Sequence, residues 1–136
     1  MSVTTKTVAV AIAFLITAAA IAQSGLPERL QFLATNRIFE RVQALPGFNL
    51  QRAARYGFFF TSSDPAVLVQ IRAQLEPQGY DFVEVHRDKT QKYWLQLAKS
   101  EIHTVESMVA RNRLLYAVAE SSRAAVYDGW DIERNE

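Results

Sequence analysis

The chain has 136 residues, enough for one small domain, and 49% of them are hydrophobic, as is typical of a globular protein. Its 15 basic and 14 acidic residues leave a formal net charge of +1. This balance argues against a dedicated nucleic-acid binder, which usually carries a basic patch or stripe. The chain has no cysteine, so disulfides, a thiolate nucleophile and cysteine-ligated metal sites are excluded.

The chain begins with a hydrophobic segment. Residues 8–22 contain Thr17 as their single polar residue. A bilayer core of ~30 Å requires about 20 apolar residues, so this segment spans a membrane only if neighbouring residues contribute at the interfaces. It also fits a signal peptide, because the Ala-Ile-Ala at residues 20–22 is a small-x-small cleavage site. We therefore predict that residues 1–26 are a membrane anchor; the alternatives are an export signal cleaved after Ala22 and a buried soluble helix.

Residues 27–55 are predicted to form an amphipathic helix and a linker. Gly25 interrupts the hydrophobic segment, and Pro27 suits the first turn of a new helix. Apolar residues then recur on a loose helical stripe as far as Leu45, where a proline-glycine pair follows. This helix either packs on the domain or, because arginines lie among its apolar residues, binds a partner or lies at a membrane interface.

The rest of the chain alternates between strand and helix signals. Period-two alternation and aromatic runs predict strands, while proline and capping residues mark the helix starts. The predicted order is β-α-β-β-α-β, with strands at residues 56–61, 80–87, 93–98 and 125–127 and helices that start at Asp64-Pro65 and Thr104. This order predicts an α+β, ferredoxin-like sandwich of a four-stranded antiparallel sheet with two helices on one face, since right-handed crossovers place both helices on the same side.

The second face of the predicted sheet stays open unless another element covers it. An apolar sheet face of this kind is normally an interaction site. By alternation, this face should carry Phe82, His86 and Trp94, together with either Phe59 or the pair Phe58 and Phe60.

The motif YDGW at residues 127–130 ends the last predicted strand. Asp128 and Gly129 predict a turn, because Asp hydrogen-bonds its own backbone and Gly adopts positive φ without a clash. Two interpretations follow. Either Trp130 folds back to seal the end of the sheet, with its indole N–H bonded to a carbonyl, or Tyr127 and Trp130 form a docking corner, since Tyr and Trp often dominate interfaces.

The aromatic strand YGFFFT at residues 56–61, the Asp64-Pro65 helix start and the YDGW ending resemble the regulator of ribonuclease E activity B family. The resemblance covers residues 56–136. Members of that family are small α+β inhibitors of this ribonuclease. The resemblance therefore implies a non-enzymatic regulatory domain with a protein partner.

No catalytic, metal or nucleic-acid site is predicted. The two histidines, His86 and His103, have no clustered ligands for a metal. Ser62 and Ser63 lack the glycines of a nucleophile elbow. The RNA-recognition fold shares the element order, but its signature octamer is missing from residues 93–100, so nucleic-acid binding is not expected.

The sequence thus predicts a non-enzymatic interaction module, without cofactors, tethered to a membrane by residues 8–22. Its partner is a ribonuclease or a membrane protein complex; an exported ligand-binding protein is the alternative. The predicted protein-binding residues are Phe82, His86, Trp94, Tyr127, Asp128, Gly129 and Trp130.

Overall fold

The computed structural model describes residues 27–136. Its elements are helix α1 (Glu28–Gln43), strand β1 (Ala54–Ser62), helix α2 (Pro65–Leu75), a 3-10 turn (Glu76–Gln78), strands β2 (Asp81–Arg87) and β3 (Tyr93–Glu101), helix α3 (Val105–Ser122) and strand β4 (Ala125–Ile132). The strands form one antiparallel sheet in the order β2-β3-β1-β4. This confirms the predicted β-α-β-β-α-β order; the hydrophobic helix predicted at residues 8–22 lies outside the described residues.

Side-chain caps start both helices of the β-α-β-β-α-β unit. The Asp64 carboxylate accepts the Ala66 N–H at 2.9 Å, with Pro65 as the first residue of α2. At α3, Thr104 and Ser107 cap each other: each hydroxyl accepts the other residue's backbone N–H, at 3.1 and 2.9 Å. These caps satisfy N–H groups that have no partner inside a helix, which is why both helix starts could be predicted from the sequence.

The helix layer contains α1 as well as α2 and α3. Buried Ile38, Phe39 and Val42 line the inner side of α1, and the Phe39 ring lies 5.8 Å from that of Trp130 on β4. Of the two interpretations of this helix, the structure therefore supports packing on the domain. The largest fully buried side chains between sheet and helices include Tyr56, Phe58, Phe60, Leu68, Ile71, Leu75, Leu95, Leu97, Met108, Tyr127 and Trp130.

Strand β4 continues through Asp128 and Gly129, so the predicted turn is wrong. Phe59 of β1 lies opposite Gly129, whereas Phe60 lies opposite Tyr127, so Asp128 is the extra residue of a β-bulge. Gly129 has a φ of +117°, a conformation that only glycine adopts without strain. The Asp-Gly pair does mark an irregular backbone, but pairing with β1 on both sides of it keeps the chain in the sheet.

A second irregularity, at Val83 of β2, decides which side of the sheet Phe82 faces. Phe82 lies opposite Leu97, a core residue, whereas Glu84 lies opposite Gln96. The register shift between them turns Phe82 towards the helices. The prediction that Phe82 lies on the open face is therefore wrong, because strict alternation assumes a strand without a bulge.

Candidate protein-binding face of the sheet

The three helices lie on one side of the sheet, and we call the other side the open face. Along β1, Phe58 and Phe60 are fully buried on the helix side, and Phe59 is half-buried on the open face. Of the two alternatives left by the sequence, Phe59 therefore lies on the open face, and the pair Phe58 and Phe60 does not. By their register, the side chains of the open face are Arg55, Phe59 and Thr61 on β1, Asp81, Glu84 and His86 on β2, Trp94, Gln96, Ala98 and Ser100 on β3, and Val126 and Asp131 on β4. Asp128, the extra residue of the bulge, lies with Gly129 opposite Phe59 of this face.

An aromatic cluster lies on this face across three strands. The His86 imidazole stacks on the Trp94 indole, with ring centroids 6.1 Å apart and planes only 4° from parallel. The Phe59 ring meets the same indole edge-on, at 6.4 Å and 75°. His86 and Trp94 thus lie side by side on the open face, as the alternation predicted, and Phe59 joins them.

Asp88, in the loop between β2 and β3, fixes the orientation of Trp94. One carboxylate oxygen accepts the Trp94 indole N–H at 2.8 Å. The other accepts the backbone N–H and hydroxyl of Thr90 and the backbone N–H of Lys92, at 2.8, 2.6 and 3.1 Å. The hydrogen bonds from Thr90 and Trp94 hold the pKa of Asp88 well below its usual range. The sequence analysis did not identify this interaction, although an Asp side chain commonly hydrogen-bonds the backbone two residues further on.

The two large side chains of the YDGW motif are in the core. Tyr127 is 0% exposed, and its hydroxyl donates to the side-chain Oδ1 of Asn112 at 2.7 Å. Burial raises the pKa of Tyr127 well above its ordinary value. Trp130 is 1% exposed and its ring lies 6.0 Å from that of Tyr56. This matches the interpretation in which Trp130 seals the sheet, and it leaves neither ring accessible to a partner.

The hydrogen bond predicted for Trp130 is wrong, however. Its indole nitrogen is buried without an acceptor among the described residues. The ring is therefore held by packing against Phe39 and Tyr56, not by a bond to a carbonyl.

Asp128 and Asp131 are the parts of this region that belong to the open face. Asp131 is only 4% exposed and accepts the Gly57 N–H at 3.1 Å. Burial, with the nearby Glu133 carboxylate, raises the pKa of Asp131 to about 6. Burial also raises the pKa of Asp128, although Lys92 works against this. A Cβ atom at Gly57 would collide with the Asp131 carboxylate, so this arrangement requires glycine there.

A polar network at the end of β3 went undetected in the sequence. Arg111 of α3 donates two hydrogen bonds to Glu101, at 2.6 and 2.9 Å, and His103 contacts the same carboxylate at 2.7 Å. Burial opposes the charge of Glu101, but the bonds from Arg111 and His103 keep its pKa below the ordinary value. His103 also contacts the Ser107 hydroxyl at 2.8 Å. Because that hydroxyl caps α3 and the carboxylate is paired with Arg111, we interpret the network as structural.

The described residues contain no other candidate site of the types considered for the sequence. Residues 27–136 hold no group of three His, Cys, Asp or Glu side chains that could bind a metal. Ser62 donates to the Ala124 carbonyl at 2.7 Å, and His86 pairs with Glu84 at 3.1 Å. These two residues are therefore not partners in a catalytic arrangement.

Fold and open face together define an α+β domain with three helices on one side of a four-stranded antiparallel sheet and a partly aromatic face on the other. Residues 33–132 match the family model described as Regulator of ribonuclease activity B, so the chain belongs to that family. The match begins within α1 and ends at the last residue of β4, so it extends further towards the N-terminus than the resemblance carried by the sequence motifs. A search of the curated proteins found no match to the chain. Membership of a family of regulators fits the prediction that the protein is not an enzyme.

Proposed function

We propose that this protein is a non-enzymatic regulator that binds a protein partner through the open face. The observation that supports it is the position of Trp94, which is half-buried on an uncovered sheet face, bonded to Asp88 and flanked by His86 and Phe59. Aromatic side chains that are fixed before binding lose little conformational entropy when a partner docks, and such residues often dominate binding energy.

The partner to test first is a ribonuclease, because the family is named for the regulation of ribonuclease activity. Ribonuclease E is the enzyme that the sequence resemblance implies. In this proposal His86 and Trp94 contact the partner, and Asp128 and Gly129 border the contact. Tyr127 and Trp130 do not contact the partner; they pack in the core beneath the sheet and stabilise it.

The test is capture of ribonuclease E by the full chain and by its Trp94→Ala variant. We expect the variant to lose capture while its far-UV circular dichroism stays unchanged, because Trp94 is not a core residue. Phe82→Ala is the matched control: Phe82 is also a partly exposed aromatic residue of the sheet, but it faces the helices. Capture by Trp94→Ala at the level of the unchanged chain would contradict the proposal.

We further propose that residues 8–22 tether the domain to a membrane. Within residues 27–136, no helix is long and apolar enough to cross a bilayer, so the hydrophobic segment is the candidate. The outward side of α1, just after that segment, carries Leu30 and Leu33, which are 45% and 51% exposed, with exposed arginines beside them. Leucines among arginines are suited to lie against a lipid surface.

The lack of cysteine allows a direct test of the tether and its direction. A single cysteine placed at exposed Ser121 is treated with a membrane-impermeant maleimide in intact spheroplasts. Membrane-fraction protein that is labelled only after lysis supports a cytosolic regulator of a ribonuclease. Labelling of intact spheroplasts would favour an accessory subunit or an exported ligand-binding protein, and an intact mass lacking residues 1–22 would identify the exported form.

A further inference from the structure

The open face is acidic, although the whole chain has a formal net charge of +1. By register, its strands carry the carboxylates of Asp81, Glu84, Asp128 and Asp131 there. Arg55 is the one cationic side chain among the strand residues of this face, and it already pairs with Asp81 at 3.1 Å and with Glu133 at 3.8 Å. The negative charge therefore comes from how the fold sorts the side chains, and composition does not reveal it.

Asp128 and Asp131 form no ion pair among residues 27–136, although the Lys92 ammonium lies near enough to Asp128 to favour its charged form. Asp131, at 4% exposed, accepts the backbone N–H of Gly57 and forms no ion pair within the described residues. Asp128 is half-buried beside it, also without an ion pair there. Burial raises the pKa of both carboxyls, as expected for groups that a cation would stabilise.

The aromatic cluster lies within reach of Asp128. Asp131 lies further away, because it is opposite Gly57, four residues along β1 from Thr61, the residue opposite Trp94. Trp94 on β3 is separated from Asp128 on β4 by the single strand β1. Two strand spacings are about 10 Å, which an extended segment of about four residues spans. A guanidinium stacks on an indole and also donates two parallel hydrogen bonds to a carboxylate, because it is planar. A lysine ammonium stacks less well on an indole and cannot form the two parallel bonds.

We propose that the partner segment that docks on the open face is cationic and carries arginine, with guanidinium groups stacked on Trp94 and paired with Asp128. This inference rests on the proposed function, because it gives the chemistry of the partner at the same face. The same carboxylates repel a phosphate backbone, which disfavours a nucleic acid as the occupant.

The test uses a fluorescein-labelled peptide of alternating arginine and serine, titrated with the detergent-solubilised full chain at physiological ionic strength. Fluorescence anisotropy measures binding. We expect saturable binding, weakened about tenfold when lysine replaces arginine in the peptide. Trp94→Ala and Asp128→Asn should each weaken binding of the arginine peptide about tenfold.

The matched control for charge is Glu40→Gln, which removes one exposed carboxylate from α1, on the other side of the domain. It should leave the affinity unchanged. Equal affinity of the arginine and lysine peptides, or equal weakening by Glu40→Gln, would overturn the proposal, since either result indicates non-specific attraction.

A separate readout distinguishes failure of this inference from failure of the proposed function. If the arginine peptide does not bind but Trp94→Ala still abolishes capture of ribonuclease E, the open face binds a partner of another chemistry, and only the present inference is wrong. If neither the peptide binds nor Trp94→Ala affects capture, both proposals are wrong.

Discussion

The two faces of the sheet are built from the same four strands but hold very different side chains. On the helix side, Tyr56, Phe58 and Phe60 of β1 are fully buried. On the open face, Phe59 from the same run is only half-buried, and the carboxyl groups of Asp128 and Asp131, which form no ion pair among residues 27–136, lie on the same face. Alternation along a strand thus separates residues that stabilise the fold from residues that are free to meet a partner.

This contrast indicates that the helix side serves to stabilise the fold, whereas the open face does not. The helix side contains tight aromatic packing and a paired network in which Arg111 neutralises Glu101. The open face keeps buried Asp131 without such a pairing, an arrangement that costs stability in the isolated domain. Removing a carboxylate charge should therefore raise stability at Asp131 on the open face and lower it at Glu101 on the helix side.

The largest effect is expected in the core at Trp130. Trp130→Ala should lower the free energy of unfolding by about 4 kcal/mol, because it empties a large, fully buried volume. Trp94→Ala, the same change on the open face, should cost about 1 kcal/mol or less, since the indole is half exposed. Urea unfolding followed by circular dichroism measures both. Similar losses for the two variants would contradict the division of roles between the faces.

The next largest effect should have the opposite sign. The rise in the pKa of Asp131 from 3.8 to about 6 corresponds to about 3 kcal/mol. Because the folded state binds this proton more tightly, Asp131 lowers stability progressively as pH rises from 4 to 6. Asp131→Asn keeps an oxygen to accept the Gly57 N–H and removes the charge.

We therefore expect Asp131→Asn to raise the free energy of unfolding by up to about 3 kcal/mol at pH 7.5 and to change it little at pH 4. Unfolding in urea at the two pH values provides the measurement. A loss of stability at pH 7.5 would show that the carboxylate is satisfied within the domain.

A smaller loss is expected for Glu101→Gln in the network on the helix side. It should cost about 2 kcal/mol at neutral pH, because Arg111 then loses its partner while partly buried. The pKa of Glu101 is held low and that of His103 is lowered by burial, so both groups make the folded state less stable as pH falls. The variant should therefore lose less stability on acidification than the unchanged chain. Glu106→Gln, at an exposed carboxylate of α3, is the control and should show the unchanged acid response.

The smallest effect on stability is expected at Asp88, whose role is to orient Trp94. In a Trp130→Phe background, Trp94 is the single tryptophan of the chain. Asp88→Ala should then lower the fluorescence anisotropy of Trp94, because its indole N–H loses the acceptor at 2.8 Å. Asp64→Ala, which removes a carboxylate from the cap of α2, should leave that anisotropy unchanged. Unchanged anisotropy in Asp88→Ala would show that stacking on His86 alone fixes the ring.

Local signals in the sequence predicted most of the fold. The cap at Thr104 and the Asp64-Pro65 start act within one helical turn, so their residues alone determine them. The side of the sheet on which each strand residue lies was harder to predict. His86 and Trp94 were placed correctly by alternation, but the bulge at Val83 turned Phe82 to the other side, and no local pattern reveals a bulge that depends on pairing with β3.

The sequence by itself determined the element order, the family motifs and most of the aromatic residues of one sheet face, because these follow from periodicity, caps and short motifs. Only the tertiary structure decided that α1 leaves this face uncovered, that β4 continues past Asp128, that Trp130 is buried, and that the open face is acidic. Each of these depends on contacts between residues far apart in the chain, such as Phe39 with Trp130 and Gly57 with Asp131. Those contacts are set by packing, which no local pattern records.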